Sequence, residues 1–260
     1  MNSEALFCTN VDELSFKINE LKQNSFIPSL AFVFANEICN ISEIDTVLSN
    51  SNIDFIGCST AGEIKNTELS NDGIAVLLLD AKKSDYKIIF NDYDESISDS
   101  VNKAGKAAKN IFENPGLIIL SGGIAVDGQQ IVKGIKSAVG NDIPIFGGLG
   151  GNNLEFLKSL VYANSFISDN GYATVVFNTK KIKLNGIASS GWEGLGKFNT
   201  ITKSSGNVVF EINNEPALTE LKKYFGEDLF YAPADAPDVI AFPGQFPLKI
   251  VRVTNIPIKA

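Results

Sequence analysis

Histidine is missing altogether from this sequence. Its absence removes the base that usually activates a Ser, Thr or Cys nucleophile, and with it the commonest metal ligand. The three cysteines, Cys8, Cys39 and Cys58, are odd in number and far apart. They form neither a disulfide framework nor a C-x-x-C metal clip and are read as free thiols. No apolar run approaches the roughly 20 residues that span a bilayer, and the opening "MNSEALFCTN" lacks the basic flank and apolar stretch of a signal peptide. A cytoplasmic location without membrane contact is expected. Basic residues are scarce too: 22 Lys and Arg face 30 Asp and Glu, for a net charge of −8. With no basic stripe to follow a phosphate backbone, nucleic acid is excluded as a partner. No cofactor is expected, because "GGLGGNN" (147–153) has neither the lysine of a P-loop nor the spacing of a dinucleotide fingerprint.

What is present reads as a folded α/β protein, with 44% apolar and 20% charged residues. Val11, Leu14, Ile18 and Leu21 recur at helical spacing behind Thr9 and Asn10, either of which can cap the first turn. "LAFVFA" (30–35), "ISEIDTVLS" (41–49) and "IDFIGC" (53–58) read as strand, helix and strand, and "GIAVLLLD" and "YKIIFND" as two further strands. A helix through Val101, Ala104, Ala108 and Ile111 leads to a second round: strand "GLIILSG", a helix from Asp127, and strand "IPIFGG".

Residues 30–92 laid over 117–188 place "FIGCSTAGE" on "IFGGLGGNN", with Gly57 opposite Gly147, and "NDGIAVLLLD" on "DNGYATVVFN", with Gly73 opposite Gly171. "YKIIFND" then falls on "IKLNGIA". The shared order of elements and turn residues predicts an internal duplication. The fold class is α/β (mixed α+β): two pseudo-symmetric βαβββ lobes, about 30–92 and 117–188, with mixed sheets flanked by helices. Beyond them "TITKSSGNVVFEIN" reads as strand, turn, strand, and "PALTELKKYFG" as a helix with Pro216 at its first position and Gly226 stopping it.

Chemistry concentrates in the two matching loops. Ligands tend to lie outside the carboxyl ends of parallel strands, and "GCSTAGE" occupies such an end. Gly57 and Gly62 allow close approach, Ser59 and Thr60 offer hydroxyls that suit a carboxylate, Cys58 stands beside them as a further ligand-binding candidate, and Glu63 can answer an ammonium. The mirrored loop adds Gly147, Gly148, Gly150, Asn152 and Asn153, and Trp192 in "SSGWEGLG" has the flat surface to cover a ligand. Three readings of the string stand: a cradle for a zwitterion, close packing of small residues, and a hydrolase acting on a small amide or ester through Cys58, Ser59 or Thr60.

The strings "FIGCSTAGEI", "IPIFGGLGGNN", "NGYATVVF", "SGWEGLG" and "GNVVFEINNEPAL" resemble the FIST family, the sensory module of F-box and intracellular signal-transduction proteins. The resemblance runs over roughly 28–225, the N-terminal FIST domain. It implies a non-enzymatic bacterial sensor of small molecules, amino acids or their derivatives, linked to partners such as chemotaxis receptors or histidine kinases. It also implies a division into a lead-in helix (1–27), the sensory domain (28–226), and a linker with an incomplete start of a C-terminal FIST domain (227–260).

Overall fold

The computed structural model describes residues 1–36, 39–65, 68–70, 72–94, 96–123, 126–152, 158–187, 198–205 and 208–226; the expected linker at 227–260 lies outside them. The chain divides into two units, Met1–Ile187 and Ala188–Ala260.

The first unit runs twice through one series of elements. The first pass is β1 (Ser3–Cys8), α1 (Val11–Gln23), β2 (Leu30–Ala35), α2 (Ile41–Asn50), β3 (Asp54–Ser59), a hairpin of β4 (Glu63–Lys65) and β5 (Glu68–Ser70), and β6 (Ile74–Leu79). The second is β7 (Tyr86–Asp92), α3 (Ile97–Ile111), β8 (Pro115–Ser121), α4 (Gly128–Val139), β9 (Ile145–Leu149), a hairpin of β10 (Val161–Ala163) and β11 (Phe166–Ser168), and β12 (Gly171–Asn178). The helices begin where side chains take up free N–H groups: Asn10, Asn40, Ser96 and Asp127 each accept from a first-turn amide.

One sheet has the order β1-β6-β2-β3-β10-β11 and another β7-β12-β8-β9. In each, a parallel pair (β2 with β3, β8 with β9) is flanked by an antiparallel strand (β6, β12), as the two-fold pattern requires. The duplication holds residue by residue. Gly57 sits opposite Val33 as Gly147 sits opposite Ile119, and Ile74 opposite Ala35 as Tyr172 sits opposite Ser121.

The structure differs from the sequence reading in where the second pass begins. "YKIIFND" is not the last strand of the first half; it is β7, the edge strand of the second sheet, antiparallel to β12. Its counterpart is β1, which pairs with β6. "IKLNGIA", the expected counterpart, has no regular structure over residues 183–187. β7 buries little beyond Tyr86, and such a half-exposed edge strand carries no mark of which neighbour it will join.

Alternation along the strands builds four layers. On β2, Ala31, Val33 and Ala35 point to α1 and α2, where they meet Leu14, Ile18, Ile44 and Leu48, while Leu30 and Phe32 point between the sheets. There they join Ile56, Leu120, Val161, Ala173, Val175 and Phe177. On the far side, Leu117, Ile119, Tyr172 and Val176 pack under Val101, Ala104, Ile131 and Ile135 of α3 and α4. Each fully buried aliphatic or aromatic side chain contributes about 1.5–3 kcal/mol. Among the described residues no helix is long and apolar enough to cross a membrane.

Thr174, between Tyr172 and Val176 on the face under α3 and α4, is fully buried with no hydrogen-bond partner for its Oγ1 among the described residues. Replacing an unpartnered hydroxyl by a methyl of the same shape removes a desolvation cost. Thr174→Val is therefore expected to raise stability by about 1 kcal/mol, or about 2–4 °C in Tm. A loss of stability in a urea titration would show that the hydroxyl has a partner after all.

The second unit contains β13 (Ile201–Ser205) and β14 (Val208–Ile212) as an antiparallel pair, a two-residue β15 (Glu215–Pro216) beside β14, and α5 (Ala217–Phe225). Pro216 precedes the helix as its N-cap residue instead of opening it, and Gly226 ends it at φ 77°.

Candidate functional site

β3 and β9 are the second strands of the two parallel pairs, so their carboxyl ends fall where loops leave main-chain groups available to a ligand. The duplication brings those ends together. Gly151 N donates to Ser59 O (2.8 Å) and Ser59 N to Leu160 O (2.9 Å). Ser59 Oγ donates to Gly151 O (2.6 Å) and accepts from Leu160 N (2.8 Å). The buried Ser59 hydroxyl is thus engaged in tying one signature loop to the other.

Between the sheets at this junction lies a cleft of about 500 Å³, a size typical of small-molecule sites. Phe32 and Phe34 of β2 and Ile118 and Leu120 of β8 form its apolar walls. Residues 58–61 of one loop and 147–149 and 151 of the other form its polar end. A larger depression of about 610 Å³ beside Met1, Asn24 and Asp80 touches neither signature loop. The cleft is the better candidate because the matched loops converge on it.

The expected site residues fall into distinct places. Cys58, Ser59, Thr60, Gly147 and Gly148 line the cleft. Gly150 is not among the lining residues; a Cβ there would lie 3.0 Å from the Leu160 carbonyl oxygen and 3.4 Å from the Cys58 Cβ. Asn152 is buried, its Nδ2 donating to Lys158 O (3.0 Å). Gly62 turns the chain at φ 142° and delivers Glu63 to the start of β4. Asn153 and Trp192 lie outside the described residues.

Glu63 is the unusual group. Its residue is 1% exposed, Oε1 accepts from Thr60 Oγ1 (2.7 Å), and Oε2 is buried without a hydrogen-bond partner among the described residues. A buried carboxylate oxygen in that state is costly. Around it the pKa values of Cys39 and Tyr162 are raised, by burial first and with the Glu63 charge contributing in both. The Tyr162 hydroxyl donates to the carbonyls of Cys58 (2.9 Å) and Val33 (3.2 Å). The carboxyl ends of β2 and β3 therefore carry one buried negative group with unspent capacity.

Burial pushes the Cys58 thiol up to about 12. At neutral pH it stays protonated, which removes the thiolate that nucleophilic attack requires. Ser59 has its hydroxyl committed to the loop–loop tie. Of the three candidate nucleophiles only Thr60 has a carboxylate within reach.

Sequence reasoning did not single out Phe32, Phe34, Ile118 and Leu120 as walls. The signal was there as i, i+2 spacing, but β2 and β8 are apolar on both faces, so the inward-facing set does not stand out.

Comparison with curated proteins gives no match to the chain. The model of the FIST N domain matches residues 29–215, well over half of the sequence, including every element that lines the cleft and all of the first unit except β1 and α1. With the duplicated halves and the junction of the two signature loops, that match makes the protein a member of the FIST family, a family of sensory domains in signal transduction.

Proposed function

We propose that the chain is the receptor for a small zwitterionic metabolite, an amino acid or a close relative, which enters between the sheets at the carboxyl ends of β3 and β9. The observation that carries this reading is Glu63, whose buried Oε2 lacks a partner among the described residues, one hydrogen bond behind the cleft wall formed by Thr60. An ammonium group entering beside Thr60 supplies that partner. The ligand's carboxylate then meets the glycine-rich main chain of residues 147–149, and an apolar side chain meets Phe32, Phe34, Ile118 and Leu120. Binding produces a signal to the extent that the ligand prefers one arrangement of the halves. The output goes to a partner protein, such as a chemotaxis receptor or a histidine kinase of a bacterial cytoplasm.

A thermal-shift screen over the amino acids and their simple derivatives tests this. A true ligand at about 100 times its Kd adds roughly 2.7 kcal/mol, about 5–10 °C for a domain of this size. Removing either the α-ammonium or the α-carboxylate should abolish the shift. No shift with any zwitterion, or equal shifts with the deaminated acids, would overturn the assignment. The hydrolase alternative rests on Thr60 and Glu63 alone, and consumption of a bound amide or ester, lost in Thr60→Val, would establish it.

A further inference from the structure

The two halves are alike in every element except in what their hairpins do. β4–β5 and β10–β11 have the same internal register: Glu63 opposite Ser70 and Ile64 opposite Leu69 in one, Val161 opposite Ser168 and Tyr162 opposite Ile167 in the other. β10 extends the first sheet along the outer edge of β3, with Val161, Tyr162 and Ala163 opposite Cys58, Gly57 and Ile56. β4 pairs with β5 alone, and among the described residues no strand pairs with the side of β9 that faces away from β8.

Three apolar features are exposed, on the unpaired hairpin, on α4 and on β6. Ile64 and Leu69, paired on one face of the hairpin, are 69% and 68% exposed. Val132 on α4 is 41% exposed. It stands fifth after its N-cap Asp127, as Asp45 stands fifth after Asn40 on α2, and Asp45 accepts a hydrogen bond from Ser165 in the turn of the docked hairpin. Leu77 on β6 is 38% exposed, whereas its counterpart on β12, Val175, is buried between the sheets. The positions that correspond to Val132 and Leu77 lie beside or beneath β10–β11, and Tyr162, the counterpart of Ile64, is fully buried, while Ile167, the counterpart of Leu69, stays half-exposed. An open sheet edge next to exposed apolar groups is a template for a further strand.

We propose that β4–β5 is a lid that closes on β9, giving the second sheet the order β7-β12-β8-β9-β4-β5 and making it the counterpart of the first. Ile64 then lies opposite Gly147 as Tyr162 lies opposite Gly57, and Lys65 opposite Phe146. The reach suffices. Ser59 O is bonded to Gly151 N, so β3 ends beside the end of β9. The four Cα steps from Ser59 to Glu63 span up to about 13 Å, against the roughly 4.8 Å between neighbouring strands. Because residues 147–149 line the cleft, a strand on this edge closes the cleft mouth. It also carries Glu63 to the position of Val161, which faces between the sheets, and so onto the cleft itself. That last consequence rests on the ligand reading above; the closure does not.

The test uses the whole chain without any ligand. Lys65→Cys with Phe146→Cys should form an intramolecular disulfide under mild oxidation, located by peptide mass spectrometry, at least tenfold faster than Lys65→Cys with Leu149→Cys, which is out of register. Hydrogen exchange on the unmodified chain gives a second readout that survives a failure of the variants to fold: closure slows exchange of the amides of residues 145–149 on both sides of β9. No preference between the cysteine pairs, or β9 amides that exchange as freely as an unpaired edge, overturns the lid. A disulfide that forms in a chain unresponsive to every zwitterion leaves the lid standing and removes the receptor reading; metabolite binding with no disulfide does the reverse.

Discussion

Gly57→Ala should cost on the order of 3–5 kcal/mol, a large part of the 5–15 kcal/mol that holds a typical domain folded. A Cβ at Gly57 would lie 2.1 Å from Cε2 of Tyr162 and 2.2 Å from the carbonyl oxygen of Val33. The ring can turn only by giving up the hydroxyl's bonds to Val33 O and Cys58 O. The carbonyl belongs to β2, which is locked between β3 and β6, so relief requires opening the parallel ladder. Gly147→Ala meets the same obstacle at the equivalent position, 1.8 Å from Ile119 O, with a φ of 155° that a side chain disfavours. Gly148→Ala is the control. One residue further along the same strand, its Cβ meets nothing within 4 Å and points into open space, so it should change stability by less than about 0.5 kcal/mol. Urea midpoints of the three variants check this ordering. A Gly57→Ala protein as stable as Gly148→Ala would mean that β2 and β3 do not pack in the register described.

The same pair of glycines shows what could be read from the sequence and what could not. Gly57 and Gly147 stand out because each ends a long apolar run at the same point of a repeated strand–helix–strand pattern, and periodicity over ten or more residues is a strong signal. The helices and the strands β2, β3, β6, β8, β9 and β12 were legible on that ground. β4, β5, β10 and β11 were not, since each has three residues and alternation cannot be recognised over so short a length. β7 was legible as a strand but its partner was not, and β1 was not legible at all, because both are half-polar edge strands whose partners are set by the layer they close. The convergence of the two loops followed from the duplication. The burial of Glu63 did not: a glutamate after a glycine turn reads as a solvated residue, whereas in the fold it is 1% exposed and bonded to Thr60.

That enclosure makes Glu63→Gln the most informative single substitution, because it should move stability and binding in opposite directions. In the empty protein the change keeps the shape and leaves an oxygen to accept from Thr60 Oγ1. It removes a charge whose second oxygen is buried without a partner among the described residues. Relief of that desolvation outweighs the weaker bond to Thr60, since buried charged groups cost more than neutral amides when unpaired. Stability should hold or rise by about 1 kcal/mol. Binding of a zwitterion should fall, because the ammonium loses a charge-assisted hydrogen bond of about 2–3 kcal/mol, which is roughly 30- to 150-fold in Kd. A structural carboxylate behaves otherwise: breaking a satisfied pair or network lowers stability and leaves no separate effect on a ligand. Titration calorimetry with the ligand from the thermal-shift screen, beside urea denaturation of the same two proteins, separates the cases. Loss of stability with unchanged affinity would make Glu63 a packing element of the β2–β3 end and move the ammonium site elsewhere in the cleft.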